Sequence, residues 1–144
     1  MLKPLSGLAF GLMVLGIAGL YYVGSLFVGN PVVIAIQLAA LALIIWARVT
    51  FGMRSFHATA NPTAGGVVSS GPYRYWRHPI YSAAIYLTAA PVAARFSVWA
   101  LAWFALVVAG GAIRMLSEER LLVERYPEYR DYMRRTKRFI PFVV

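Results

Sequence analysis

Apolar residues run almost without interruption over residues 5–28, 31–51, 79–94 and 98–117, and polar residues collect between and after these runs. Three of the runs match the ~20 residues that cross a hydrocarbon core. The pattern predicts an all-α integral membrane protein with four transmembrane helices and a C-terminal amphipathic helical segment. Only Gly29, Asn30 and Pro31 separate the first two runs, a tight uncharged turn, so helices one and two are expected to form an antiparallel hairpin. The third run is short: at about 1.5 Å per residue, residues 79–94 reach only ~24 Å. Pro91 is expected to interrupt its far end. The second hairpin should therefore thin the bilayer or begin deep on one side, where a ligand with a polar head and a lipid tail would be met. After residue 117 the chain becomes charged, with Leu122, Tyr126, Tyr129 and Met133 on one helical seam that Pro127 breaks or kinks. That segment reads as an interfacial anchor on anionic lipid, as a lid over a cofactor, or as both. The whole chain, 1–144, is expected to be one membrane domain: an N-terminal hairpin (1–52), a loop (53–78), a second hairpin (79–117) and a tail (118–144).

Composition strengthens this picture. The chain is 60% hydrophobic and 13% charged, too little polar surface to cover a water-soluble fold. Its net charge is +9, yet all acidic residues fall between Glu118 and Asp131, which leaves only positive charge before them. Such asymmetry points to a membrane face and not to nucleic acid. Arg48, Arg54, Arg74 and Arg77 in and beside the long loop make it cytoplasmic by the positive-inside tendency, and with four spans both termini fall on that side. The first run is too long for a signal-peptide core and no convincing cleavage site follows it, so it reads as a permanent span. Gly7 and Gly11 are expected to serve close helix packing. The absence of cysteine excludes disulfides, thiolate nucleophiles and sulfur metal sites. A homo-oligomer is compatible with so small a bundle.

Two places carry candidate chemistry. In the run Tyr73, Arg74, Tyr75, Trp76, Arg77, His78, Pro79, Ile80 and Tyr81, Pro79 suits the first position of a helix. The free amides of that first turn suit an anion such as a carboxylate. An interfacial belt of aromatic and arginine side chains accounts for part of the same run. On the fourth helix Arg114 and Glu118 are one turn apart and can pair, while Glu119 points elsewhere. Acids at a helix C-terminus oppose the dipole, and ionisable groups at membrane depth are costly, so this placement implies use.

Together these blocks resemble the isoprenylcysteine carboxyl methyltransferase family and its relatives, the membrane phospholipid methyltransferases. The resemblance covers residues 65–141. It rests on the run from Gly71 to Tyr81, on Arg114 with Glu118, Glu119, Arg120, Leu121 and Leu122, and on Glu128, Tyr129, Arg130, Asp131 and Tyr132 followed by Arg138, Phe139, Ile140 and Pro141. The chain departs from the family pattern at Pro127, where a glycine is usual, and at Thr136 and Lys137, where Val-Pro is common.

The resemblance implies S-adenosyl-L-methionine as cofactor, bound at the membrane boundary beneath the C-terminal segment. It implies that Gly65, Gly66, Val67, Val68, Tyr73, His78, Pro79, Ile80, Tyr81 and Glu118 line the cofactor pocket and that Arg114 faces a lipophilic methyl acceptor. Arg114 and Glu118 are the catalytic candidates, Glu119 supports them, and no metal is involved. The reaction implied is direct methyl transfer to a carboxylate or other acceptor. Three other readings stay open: a phospholipid N-methyltransferase, an NADPH-dependent sterol-type reductase, and a non-enzymatic membrane subunit. In the reductases an Asn typically follows the His-Pro pair, where this chain has Ile80.

Overall fold

A computed structural model of the protein describes residues 2–52 and 67–140. Its elements are α1 (Leu2–Tyr22), α2 (Pro31–Phe51), a short 3-10 turn (Gly71–Arg74), α3 (Pro79–Ala94), α4 (Val98–Arg125) and α5 (Tyr129–Arg135). Helices α1, α2 and α4 are long and apolar enough to cross a membrane, and α3 is a shorter apolar helix. Large apolar side chains such as Leu8, Leu38, Val49 and Trp99 stay exposed along them, as a lipid-facing surface requires.

Local chemistry sets the helix ends. Asn30 caps α2 by accepting from the Val32 and Val33 amides at 2.9 and 3.4 Å, and Pro31 occupies the first turn, where no amide hydrogen is needed. Ser97 caps α4 through the Ala100 amide at 3.0 Å. Helix α4 does not stop at residue 117 as expected but continues to Arg125, ending at Tyr126 before Pro127. Glu118 and Glu119 therefore lie inside a helix, and the expected conflict with the dipole at its C-terminus does not arise. Pro91 does not interrupt α3 either, since the helix runs on to Ala94. The carbonyl of Leu87, which loses its intrahelical partner to Pro91, accepts instead from Gln37 Nε2 of α2 at 3.2 Å.

The expected first hairpin is not formed. Although only residues 23–30 join them, α1 packs along α4 and α2 packs along α3, with α3 touching α4 between the pairs. Small residues explain the choice. A Cβ at Gly16 would sit 2.7 Å from the Trp103 carbonyl oxygen, and one at Gly110 would meet the Ala9 carbonyl and Met13, so α1 and α4 approach backbone to backbone. Gly11, by contrast, has open space where its side chain would be. The core lies at the centre of this arc, where Met13, Leu20, Leu26, Ile85, Val107 and Met115 meet.

After α4 the chain turns back across the start of α3. The Arg77 amide donates to the Lys137 carbonyl at 2.7 Å and the Lys137 amide to the Tyr75 carbonyl at 3.3 Å, so residues 75–77 and 137 pair as a short parallel bridge. Tyr132 hydroxyl donates to the Tyr73 carbonyl at 2.6 Å, and Arg77 Nη1 to the Met133 carbonyl at 3.1 Å. The tail is thus strapped over the mouth of the α3–α4 pair.

Candidate active site

The first turn of α3 and the middle of α4 bring Arg77, His78, Tyr81, Arg114, Glu118 and Glu119 together. Pro79 starts α3 at His78, which places the His78 and Tyr81 side chains toward α4. Tyr81 hydroxyl donates to Glu118 Oε1 at 2.5 Å and accepts from Arg114 Nε at 2.7 Å, while Arg114 Nη2 reaches the same Glu118 oxygen at 3.2 Å. These three form a closed triangle. Arg114 is 3% exposed and Glu118 23%. Such a triangle fits a low-dielectric setting, where an unpaired charge is costly.

His78 bridges the two carboxylates. Its Nδ1 lies 3.6 Å from Glu118 Oε2 and its Nε2 3.3 Å from Glu119 Oε1. A neutral imidazole has only one N–H, so the doubly protonated form serves both partners. Burial pushes the ring toward neutrality, but hydrogen bonds to Glu118 and Glu119 outweigh it and hold His78 above the usual histidine range.

Glu119 anchors the tail. Arg138 clasps its carboxylate through both Nε, at 3.1 Å, and Nη2, at 2.5 Å, and Arg77 Nε lies 3.1 Å away on the other side. The two-point guanidinium clasp is the stronger and more directional kind of ion pair. Beyond it, Tyr86 of α3 donates to the Phe139 carbonyl, and the two rings meet at a tilt of 55° with centroids 5.1 Å apart. Burial pushes the phenols of Tyr73, Tyr129 and Tyr132 up, so they remain donors at any working pH.

The structure sorts the residues expected from sequence into two places. His78, Tyr81, Arg114 and Glu118 share the cluster just described, with Pro79 buried and Ile80 half-buried at the helix start beside them. Val67 and Val68 instead line a cleft of about 520 Å³ at the end of α2, with Thr50, Phe51, Gly52, Ser69 and Ser70. Tyr73 stands between, its ring 5.3 Å from that of Phe51 and its carbonyl bound by Tyr132 of the tail. Gly71 fixes this turn: its φ is +56° and a Cβ there would meet Thr50. Gly65 and Gly66 lie outside the described residues, as do Arg54 and Pro141.

Sequence reasoning missed the part played by Glu119, Arg77 and Arg138. The available signal was a second carboxylate, next to Glu118 but on another face of the helix, with no cation one turn away to answer it.

Compared with known protein families, residues 31–124 match the model described as the Isoprenylcysteine carboxyl methyltransferase (ICMT) family. No curated protein and no solved structure matches the chain.

Proposed function

The chain belongs to the isoprenylcysteine carboxyl methyltransferase family, and from that premise we propose that it takes a methyl group from S-adenosylmethionine and delivers it to the carboxylate of a lipophilic acceptor. The observation that carries this reading is the closed contact of Tyr81, Arg114 and Glu118 where α3 meets α4. When bound, S-adenosylmethionine supplies a methyl group made electrophilic by its sulfonium. The protein's part is then to hold, orient and keep the site dry, and good positioning alone contributes about 7 to 11 kcal/mol.

The residues present fit a zwitterionic donor. Glu118 is the more exposed of the two carboxylates and suits an ammonium or sulfonium. The first turn of α3 has no side-chain cap, so the Ile80 and Tyr81 amides suit a carboxylate, with the helix dipole behind them. Ser82 Oγ is buried without a hydrogen-bond partner among the described residues and offers a further polar contact. Gly65, Gly66, Val67, Val68 and Tyr73 are assigned to the remainder of the donor pocket, Arg114 to the acceptor.

Charge favours an anionic acceptor. Arg77, His78, Arg114 and Arg138 outnumber Glu118 and Glu119 in the cluster. A carboxylate is ionised at neutral pH and needs no general base, whereas an amine would first have to lose a proton beside these cations. In the membrane, α3 makes the fourth crossing, and the long loop and both termini face the cytoplasm.

Equilibrium titration of the purified protein with labelled S-adenosylmethionine tests the reading. One donor should bind per chain, Glu118→Gln should weaken binding at least about tenfold by removing a charged partner, and NADPH should not compete. Label transferred to a lipid extract should be released as methanol by base, as from an ester. A base-stable methylamine would point to the N-methyltransferase reading. Binding of NADPH alone would favour a reductase, and no binding with Glu118 and His78 tolerant of substitution would favour a non-enzymatic subunit.

A further inference from the structure

We propose that Phe10 is a positioning residue for Arg114, and that α1, which lies outside the family-matched residues 31–124, is thereby part of the active site. This rests on the reading of Arg114 and Glu118 given above.

Arg114 is held from three helices at once. Tyr81 comes from α3 and Glu118 from α4, but Arg114 Nη1 donates to the carbonyl of Ser6 on α1 at 3.2 Å. One turn further along α1, the Phe10 ring centroid lies 5.3 Å from the guanidinium carbon, the same distance as the Tyr81 ring. Residues four apart share a helix face, so Ser6 and Phe10 reach Arg114 together. An aromatic face attracts a cation most where water is excluded, and the guanidinium is almost fully buried here.

Burial alone does not explain the aromatic. Phe10 is 43% exposed on a lipid-facing helix, where any apolar side chain of similar size would serve. Its particular contribution is the ring beside the charge. With α1 holding one side of Arg114, the cation shares Glu118 with His78 and Tyr81. Released from Phe10, the guanidinium can tilt out of the triangle with Tyr81 and Glu118, and the carboxylate loses the orientation in which it meets the donor. The Ser6 contact is main-chain and independent of the side chain, which leaves Phe10 as the residue through which sequence tunes the clasp.

The full chain in lipid nanodiscs provides the test. Phe10→Leu keeps the lipid-facing surface apolar and should weaken binding of labelled S-adenosylmethionine roughly five- to thirtyfold, the range expected for a desolvated cation–π contact. Phe10→Trp should restore it, and Leu15→Ala, on the exposed side of α1, should leave it unchanged. In an Arg114→Met background, which has no cation for the ring to hold, Phe10→Leu should have no further effect. Unchanged binding in Phe10→Leu, an equal loss in the Arg114 background, or failure of Trp to restore would each overturn the proposal. If the wild type binds no donor, the cofactor reading falls. The clasp is then judged by unfolding in detergent, where the Phe10 and Arg114 substitutions should be non-additive and additivity would refute it.

Discussion

At the scale of single residues, the site is a short chain of charges in which His78 links two carboxylates with different tasks. Glu118 closes the triangle with Tyr81 and Arg114, and Glu119 holds the tail through Arg138 and Arg77. Because these partners raise His78 above its unfolded value of about 6.5, the stability it contributes is fully present below that value and is lost as pH rises through the folded pKa. Unfolding of the protein in detergent should therefore become easier as pH is raised above neutrality, and His78→Gln should flatten that dependence. A stability that climbs with pH over this range, and does so through His78, would contradict the bridge. The Arg114–Glu118 pair was legible in the sequence because one helical turn fixes it. The family resemblance already implied that Tyr81 shares a pocket with Glu118, but the Tyr81 hydroxyl closing the pair, and Arg138 reaching Glu119 across α5, were not legible, because no local spacing connects them.

At the scale of elements, the helices themselves were largely legible and their partners were not. Pro31 and Pro79 mark the starts of α2 and α3 where the apolar runs begin. The end of α4 was hidden because residues 118–125 change from apolar to charged while remaining helical, a change of surroundings and not of conformation. The α1–α2 hairpin failed as an expectation because a connection of residues 23–30 permits contact without enforcing it, and the small-residue face of α1 fits α4 better. Gln37 shows how one polar side chain joins elements: it donates to the Leu26 carbonyl at 2.8 Å and to Leu87, the carbonyl that Pro91 leaves open. Gln37→Leu should cost about 1–2 kcal/mol in membrane unfolding measurements. Adding Pro91→Ala, which restores the amide hydrogen for Leu87, should recover part of that loss. A full, additive penalty for the pair would show that the Leu87 contact contributes little.

At the scale of the whole molecule, the excess of positive charge and the long apolar helices make a membrane protein whose cytoplasmic side can be tested directly. The chain has no cysteine, so single cysteines report topology without background. Ser69→Cys before α3 and Lys137→Cys after α4 should both react with a membrane-impermeant thiol reagent from the cytoplasmic side, and Gly29→Cys, in the α1–α2 connection, from the opposite side. Labelling of Ser69 and Lys137 from opposite sides would mean that α3 does not cross. What the sequence determined by itself was local and compositional: an all-helical membrane chain, the starts of its helices, the turn-spaced ion pair and the family it belongs to. These follow from burial of apolar surface and from backbone geometry within a few residues. Tertiary structure alone decided that α1 leaves its neighbour for α4, that the tail folds back onto Glu119, and that Arg114 sits between two rings from different helices. Each of those depends on which surfaces fit when several helices compete for the same partners, and that competition is settled by contacts between residues far apart in the chain.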